Sequence, residues 1–292
     1  MKTNILFYGN CQVSPINMIL NLTPNEYNII AIECFSTQVT KLELDNWIRK
    51  CDIIIMQPIQ DNYREKYYLS SSYIILTSKI HCKIIFIDNC HFNFYYFDTN
   101  IKPFDDNFLW NPSLYHYNSL VDCYKNNKSS EYYLTNFVNN YTLKDKNELE
   151  DLALEGITEL RNRYNNMLNY KKHYYKKNIS CISIADYIEN NFKNKLLFYT
   201  INHPSKYVLQ YICEQIVQLL QIPDIQINYD LDPLNYKKCI LYKCISQVVN
   251  FDLDNDLYKP LLDNENNTEN NTENIVKMYY NVYDSLHLNQ LT

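Results

Sequence analysis

The tetrapeptide Gly9-Asn10-Cys11-Gln12, called the Gly9–Gln12 turn, combines a thiol with two carboxamides and one of only two glycines in the chain. So rare a glycine indicates a backbone that a Cβ would obstruct. Cys11 is predicted to lie at a helix N-terminus, where the macrodipole and N–H groups lower a thiol pKa and hold an oxyanion or a phosphate. The turn is therefore a candidate nucleophile with its oxyanion hole. The structural alternative is a small buried cysteine.

Polar groups also follow three other predicted strands. They are Gln57, Asn89 and the pair Asn202-His203. Because ligands of α/β sheets bind outside the carboxyl ends of the strands, these groups and the Gly9–Gln12 turn predict one polar rim. Taken singly, each of them fits a turn cap better than a ligand site.

The strands and helices that position this rim are predicted from apolar runs, which alternate along the chain with segments of helical periodicity. Buried strands are predicted at 3–8, 51–56, 82–87 and 196–200, and helices near 14–22, 145–170, 184–192, 208–219 and 275–286. This alternation predicts an α/β fold whose parallel sheet is covered by helices on both faces.

The domain organisation is predicted from where this pattern weakens. Residues 1–222 form an α/β catalytic domain, and residues 223–292 form a mostly helical extension with a disordered low-complexity loop at 263–273. The connection from 88 to 144 is long, aromatic and poorly periodic, which favours a functional role.

Composition excludes several classes of function. A net charge of -6 without a basic stripe argues against nucleic acid as a partner. The ten cysteines show no metal-type spacing, which indicates reduced thiols and no metal. No apolar stretch is long enough for a signal peptide or a membrane span, so we expect a cytoplasmic protein without membrane insertion. The heavy use of Asn, Tyr, Ile and Lys points to an AT-rich genome, viral or parasitic.

Four motifs, in this order, resemble the WcbI-type polysaccharide-biosynthesis proteins. They are Gly9–Gln12, Gln57-Pro58-Ile59, Tyr115-His116 and the segment 198–204, which reads FYTINHP. The resemblance spans residues 1–222. It implies an SGNH-hydrolase-like fold with a three-layer, doubly wound parallel sheet, binding of coenzyme A, and an acetyltransferase role in modifying glycan sugars alongside other glycan-assembly enzymes.

The resemblance also implies roles for individual residues. Cys11 takes the place of the nucleophilic serine of the hydrolase relatives. His203 becomes the general base, with His116 as the competing base, and Asn10 and the backbone N–H groups stabilise the oxyanion. Thr200 stands where those hydrolases carry the aspartate of a triad, so the third member of a triad is not identified.

Coenzyme A is expected to contact residues of the rim and of the loop that follows Gln57. The predicted contacts are Gly9, Gln12, Gln57, Tyr63, Arg64, Asn89 and Asn202. Arg64 is the phosphate ligand among them, since a guanidinium pairs two phosphate oxygens, and a solvated surface charge is its alternative.

The leading hypothesis is therefore an acyltransferase that moves acetyl from acetyl-CoA to a sugar hydroxyl or amine. The same turn and histidine could instead hydrolyse an ester or thioester, as in a glycan deacetylase. A third alternative is a non-catalytic module that binds coenzyme A or a nucleotide sugar. Whether Cys11 forms an acyl-enzyme or the acceptor attacks the thioester directly is left open by the sequence.

Overall fold

The structure is a computed structural model that describes residues 2–36, 38–101, 115–143, 147–221, 225–253, 259–261 and 271–288. Its strands are β1 (Thr3–Gly9), β2 (Tyr27–Glu33), β3 (Ile53–Met56), β4 (Lys83–Ile87), β5 (Thr99–Asn100), β6 (His116–Tyr117), β7 (Asn178–Ile182), β8 (Phe198–Thr200) and β9 (His203–Pro204). Its α-helices are α1 (Val13–Leu20), α2 (Lys41–Lys50), α3 (Ser71–Thr77), α4 (Asn118–Lys125), α5 (Ser130–Tyr133), α6 (Glu148–His173), α7 (Ala185–Asn191), α8 (Lys206–Leu220) and α9 (Thr272–Leu288). A π-helix spans Leu134–Asn139, and 3₁₀ turns span Tyr63–Glu65, Tyr67–Leu69, Phe94–Tyr96 and Lys243–Gln247.

The chain divides into two compact units, each assembled from separate stretches. The first comprises Met1–Cys90, Ile157–Glu189 and Lys206–Pro233, and the second His91–Gly156, Asn190–Ser205 and Leu234–Thr292. Helix α6 runs across the division. A catalytic domain over 1–222 with an extension over 223–292 stays a prediction, and most of the loop predicted at 263–273 lies outside the described residues.

The first unit is built on a parallel sheet with the strand order β2-β1-β3-β4-β7. One face carries side chains such as Leu6 and Ile54 and packs against α2, α3 and the Met167 side of α6. Alternate residues point to the other face, where α1 and α8 pack together and contact β1 and β7. Burial on both faces explains the continuous apolar runs. The predicted α/β fold with helices on both faces of a parallel sheet is confirmed.

The strand order fixes where a site can form. After β1 the chain adds β2 on one side and then β3 on the other, so the carboxyl ends of β1 and β3 bound the crevice in which open α/β sheets bind ligands. The Gly9–Gln12 turn follows β1, and Gln57 follows β3. The topology therefore brings these two motifs to the switch point.

The prediction placed one strand in the wrong sheet. The run at 196–200 is predicted to belong to the parallel sheet, but β8 pairs antiparallel with β9 in the second unit. The edge strands β2 and β7, which the sequence pattern did not reveal, complete the sheet instead. An apolar run indicates that a strand is buried, but its pairing partner is a long-range choice that local pattern does not contain.

The predicted helices form, with ends displaced by a few residues. Ser183 caps α7, because its Oγ accepts a hydrogen bond of 3.3 Å from the Ala185 N–H. The C-terminal helix is present as α9. Within the described ranges, none of the helices has the length and apolar character needed to cross a membrane.

The second unit is held by buried aromatic rings. Phe94 and Phe192 pack edge to face with centroids 5.2 Å apart, and Phe92 lies against Gly156, where a Cβ would come within 2.9 Å of its ring. The connection from 88 to 144, predicted to be long and poorly periodic, contributes α4, α5 and the π-helix to this unit. Its residues 102–114 lie outside the described part.

Candidate active site

Gly9 is required because other atoms approach its backbone closely. A Cβ at this position would lie 2.4 Å from Gln57 Oε1 and 2.8 Å from Val13 Cγ1. Its φ is not positive, so the constraint is space and not backbone conformation. The obstructed backbone predicted from the rarity of glycine is therefore present.

Gln57 joins the ends of three segments by hydrogen bonds. Its Oε1 accepts from the Asn10 N–H at 2.7 Å, and its Nε2 donates to Gln12 Oε1 at 2.7 Å and to the Asp88 carbonyl at 3.4 Å. Gln12 in turn exchanges hydrogen bonds with the Cys90 backbone, accepting at 3.1 Å and donating at 2.8 Å. Both carboxamides are buried. The sequence predicts that they contact coenzyme A, but these partners favour a positioning role.

Asn10 ties the Gly9–Gln12 turn to Asn89 at the end of β4. Its Nδ2 donates to Asn89 Oδ1 at 2.8 Å, while its Oδ1 and carbonyl accept from the N–H groups of Gln12 and Val13 at 2.9 and 3.2 Å. Because the N–H groups of Asn10, Gln12 and Val13 all donate within the protein, the expected backbone oxyanion hole is not available at these three positions. The half-buried Asn10 carboxamide, which carries a second N–H hydrogen, is a candidate donor.

Cys11 does not have the lowered pKa that its position at a helix start predicts. Burial raises the pKa of the Cys11 thiol to about 11, and the negative charge of Glu33 adds to this rise against an opposing hydrogen bond from the Cys11 backbone. Desolvation penalises the charged thiolate and so opposes the stabilisation expected at a helix start. At neutral pH Cys11 is therefore a thiol, as are the other nine cysteines.

Asp88 is an ionisable group of this region that sequence reasoning missed. It is 1% exposed, and its Oδ2 is buried with no hydrogen-bond partner among the described residues. Burial raises the pKa of Asp88 to about 7, although Arg163 and the Asn89 N–H both favour the ionised form. The available signal was its position directly after the apolar run of β4, where only Asn89 was singled out.

A cavity of about 720 Å³, called the α6 groove, opens between α6 and the ends of β3 and β4. It is lined by Pro58, Ile59, Gln60, Asp61, Ser72, Asp88, Asn89, Glu159, Arg163, Asn166, Asn169, Tyr170, His173 and Tyr174. Arg163 links α6 to the segment after β4, since its Nη1 donates to the Asn89 carbonyl at 3.1 Å and its Nε pairs with Glu159 at 3.0 Å. The groove therefore adjoins the Gly9–Gln12 turn through Asn89.

Tyr63 and Arg64 lie in a strained turn. Arg64 and Glu65 have φ values of 51° and 60°, a conformation that non-glycine residues adopt at a cost of about 1–3 kcal/mol each. The Arg64 guanidinium donates to the Phe35 carbonyl at 2.6 Å and lies 5.7 Å from the centroid of the Tyr63 ring. This exposed cation remains the candidate ligand for a phosphate.

His203 and Asn202 lie on the β8–β9 turn of the second unit. The Thr200 hydroxyl accepts from the His203 N–H at 3.0 Å and donates to Asn202 Oδ1 at 3.1 Å, and Asn202 Oδ1 also accepts from the Tyr115 hydroxyl at 2.6 Å. Thr200 thus shapes the turn where a triad aspartate would stand. Burial and the Lys237 charge lower the pKa of His203 to about 4, so its imidazole is neutral at pH 7, as a general base requires.

His116, the competing base, is completely buried in the second unit. Its Nδ1 lies 2.8 Å from the Tyr283 hydroxyl, and its ring stacks on that of Tyr283 with centroids 5.6 Å apart. This aromatic enclosure favours a structural role. In the part of the chain that the structure describes, no group of three His, Cys, Asp or Glu side chains is arranged to hold a metal ion.

Together, the strand order and the Gly9–Gln12 turn define an α/β protein with a polar site at the switch point of a parallel sheet. The chain belongs to the WcbI family, because the model of "Polysaccharide biosynthesis enzyme WcbI" matches residues 4–224. The resemblance inferred from its four motifs is thereby confirmed. Comparison with curated proteins gives no match.

Solved structures support the same architecture. A structure of WcbI is similar to this chain with a TM-score of 0.75 and 22% identity over 98% of this chain and 91% of that one. It is described as a novel polysaccharide biosynthesis enzyme, in its native form without a disulfide bond between coenzyme A and a cysteine. At this identity the likeness shows the fold. A diflavin flavoprotein A3 from Nostoc sp. has a TM-score of 0.24, with 13% identity over 30% of this chain and 60% of that one, and carries no argument.

We predict that Gly9→Ala lowers the free energy of unfolding by about 1–3 kcal/mol, since the new methyl group overlaps Gln57 Oε1. Urea denaturation measures the loss. In a Gln57→Ala background the same substitution should cost less, because the overlapping oxygen is gone. An equal cost in both backgrounds would contradict the close approach as the cause.

We predict that Asp88 makes the protein less stable as the pH rises from about 4 to about 7. The native state holds the Asp88 proton more tightly than the unfolded chain does, so stability is full below the unfolded pKa and declines as the pH passes through the folded pKa. The contribution is up to about 4 kcal/mol, because the pKa of about 7 in the folded protein lies well above that of an ordinary aspartate. Asp88→Asn should abolish this decline in urea unfolding measured across the range, and measurements at pH 4 serve as the internal control.

We predict slow alkylation of Cys11 by iodoacetamide. With a pKa of about 11, the thiolate fraction and the rate should rise about tenfold per pH unit between about pH 7 and pH 9. Peptide mass spectrometry follows the Cys11 adduct, and glutathione, whose rate levels off near the ordinary thiol pKa, is the control. A Cys11 rate that is already constant above pH 7 would show a thiolate and contradict the assignment.

Proposed function

We propose that this chain is an acyltransferase that moves acetyl from acetyl-CoA to a hydroxyl or amine of a sugar in polysaccharide biosynthesis. Membership of a family of polysaccharide biosynthesis enzymes supports the biological setting. The similar WcbI structure, described by reference to coenzyme A and a cysteine, supports the donor. The observation that carries the proposal is a half-buried cysteine, Cys11, in a turn at the switch point of the sheet.

In this proposal the acceptor oxygen or nitrogen attacks the thioester carbonyl carbon of acetyl-CoA. The new C–O or C–N bond forms, the carbonyl oxygen takes up negative charge, and the Asn10 carboxamide donates a hydrogen bond to it. The C–S bond then breaks and coenzyme A leaves. His203 takes the proton of the acceptor, as its neutral imidazole allows, and returns it to the departing thiolate.

Cys11 is proposed to position the sulfur end of coenzyme A and not to carry the acyl group. A thiol with a pKa of about 11 is protonated at neutral pH, whereas an acyl-enzyme forms by attack of the thiolate. Direct attack by the acceptor needs only a base and an oxyanion donor. The reaction should therefore pass through a complex of enzyme, acetyl-CoA and acceptor.

Arg64 is the proposed partner of the coenzyme A phosphates. Its guanidinium is exposed on a strained turn and donates to the Phe35 carbonyl, so only some of its five N–H groups remain for a ligand. Such a fork can still pair with two phosphate oxygens. Backbone strain at ligand clamps is common, and this turn fits that pattern.

The proposal predicts how three variants affect release of free coenzyme A from acetyl-CoA in the presence of a sugar acceptor. His203→Ala should lower kcat by about 10²–10⁴-fold, the usual contribution of a general base. His81→Ala, at an exposed histidine of the first unit, is the matched control and should keep full activity. Cys11→Ala should retain transfer with a raised KM for acetyl-CoA. Complete loss of kcat in Cys11→Ala would point to covalent catalysis.

The kinetic pattern and the acceptor requirement separate the alternatives. Double-reciprocal plots of initial rate, measured at varied concentrations of both substrates, should give intersecting lines. Parallel lines would indicate an acyl-enzyme. Release of coenzyme A without any acceptor would support a thioester hydrolase. A rise in Tm with coenzyme A, as binding to the native state requires, but no turnover with any sugar, would support a binding module.

A further inference from the structure

The α6 groove is a cavity to which the proposed reaction at the Gly9–Gln12 turn assigns no ligand. Its volume of about 720 Å³ falls within the range of about 300–1,000 Å³ that small-molecule sites span. All of its lining residues belong to the first unit. Its walls are the C-terminal part of α6 on one side and the segments after β3 and β4 on the other.

The charge of the groove disfavours a phosphate. Three carboxyl side chains line it, Asp61, Asp88 and Glu159, against the guanidinium of Arg163 and one histidine. Arg163 is already paired with Glu159 and with the Asn89 carbonyl. An anionic ligand would be repelled by the carboxylates, and the guanidinium that could attract it is already paired. The phosphates of coenzyme A are therefore poor ligands for this cavity.

The remaining lining groups suit a ligand with many hydroxyls. Asn166 and Asn169 present exposed carboxamides from one face of α6, and each offers both donors and acceptors. Tyr170 and Tyr174 lie nearly parallel, with an interplanar angle of 12° and centroids 6.4 Å apart. A tyrosine combines an apolar ring with a polar hydroxyl, which matches the apolar face and polar edge of a pyranose.

Asp88 gives the groove a specific polar group. It lines the cavity, it is 1% exposed, and its Oδ2 is buried with no partner among the described residues. A buried polar atom left unsatisfied costs about 1–3 kcal/mol, so such an atom beside a cavity calls for a ligand partner. A sugar hydroxyl can either donate to this carboxyl or accept from it.

The groove also lies beside the proposed reaction centre. Asn89, which lines it, accepts a hydrogen bond from Asn10 at 2.8 Å, and the Asp88 carbonyl accepts one from Gln57 at 3.4 Å. A ligand that contacts Asp88 and Asn89 therefore touches a residue, Asn89, that is hydrogen-bonded directly to the Gly9–Gln12 turn.

We propose that the α6 groove binds the sugar acceptor as a neutral pyranose, with Asp88 at its floor and Tyr170 and Tyr174 along its side. The term acceptor rests on the proposed acyl transfer. Binding of the pyranose does not, because it depends only on the groove.

Saturation-transfer difference NMR with the methyl α-pyranosides of glucose, galactose and mannose tests this site. Asn166→Trp should fill the groove, while Asn165→Trp, at the adjacent exposed asparagine outside the lining, is the matched control. At least one of the glycosides should receive saturation from the unaltered chain and from Asn165→Trp. The affinity of Asn166→Trp for that glycoside should be at least tenfold lower, which is a loss of about 1.4 kcal/mol in binding free energy. Coenzyme A, measured by calorimetry, should bind all three proteins equally.

Three results would overturn the proposal. None of the three glycosides receives saturation from the unaltered chain, or Asn166→Trp binds the glycoside as tightly as the unaltered chain does, or Asn166→Trp loses coenzyme A and not the glycoside, which would make the groove a donor site. Thermal melts of both tryptophan variants check that they fold. If coenzyme A binds no form of the protein, the acyltransfer proposal fails, and the glycoside measurements still decide the groove.

Discussion

The buried carboxamide of Gln57 is the interaction on which the site depends. It accepts from the Asn10 N–H, donates to Gln12 and reaches the Asp88 carbonyl, so a single side chain fixes the ends of β1, β3 and β4 relative to one another. Its Oε1 occupies the space that a Cβ of Gly9 would need. A buried polar network of this kind holds one geometry, because leaving any member unpaired would cost more than the network gains.

Burial also sets protonation states within each of the two units. Desolvation keeps the proton on Cys11, holds that of Asp88 to about neutral pH, and keeps His203 neutral in its own unit. At pH 7 Cys11 is therefore a thiol and His203 a neutral imidazole. In the proposed acyl transfer, these protonation states favour direct attack on the thioester over covalent catalysis by cysteine.

Sequence reasoning identified the central sheet and its turn because both leave local signals. Continuous apolar runs predicted β1, β3 and β4, and a rare glycine at a strand end predicted the obstructed turn. It assigned β8 to the wrong sheet and did not reveal β2, because strand pairing depends on segments far apart in the chain. Edge strands with polar positions also lack the continuous run of a strand buried on both faces.

The sequence by itself determined the α/β class, the family and the position of the Gly9–Gln12 turn, since these follow from residue order and local periodicity. Only the tertiary structure decided that Gln12 and Gln57 bond to each other, that Cys11 is a thiol, and that Asp88 is a buried acid beside a groove. Hydrogen-bond partners and desolvation are properties of the atoms brought around a side chain in space, and its neighbours along the chain do not specify them.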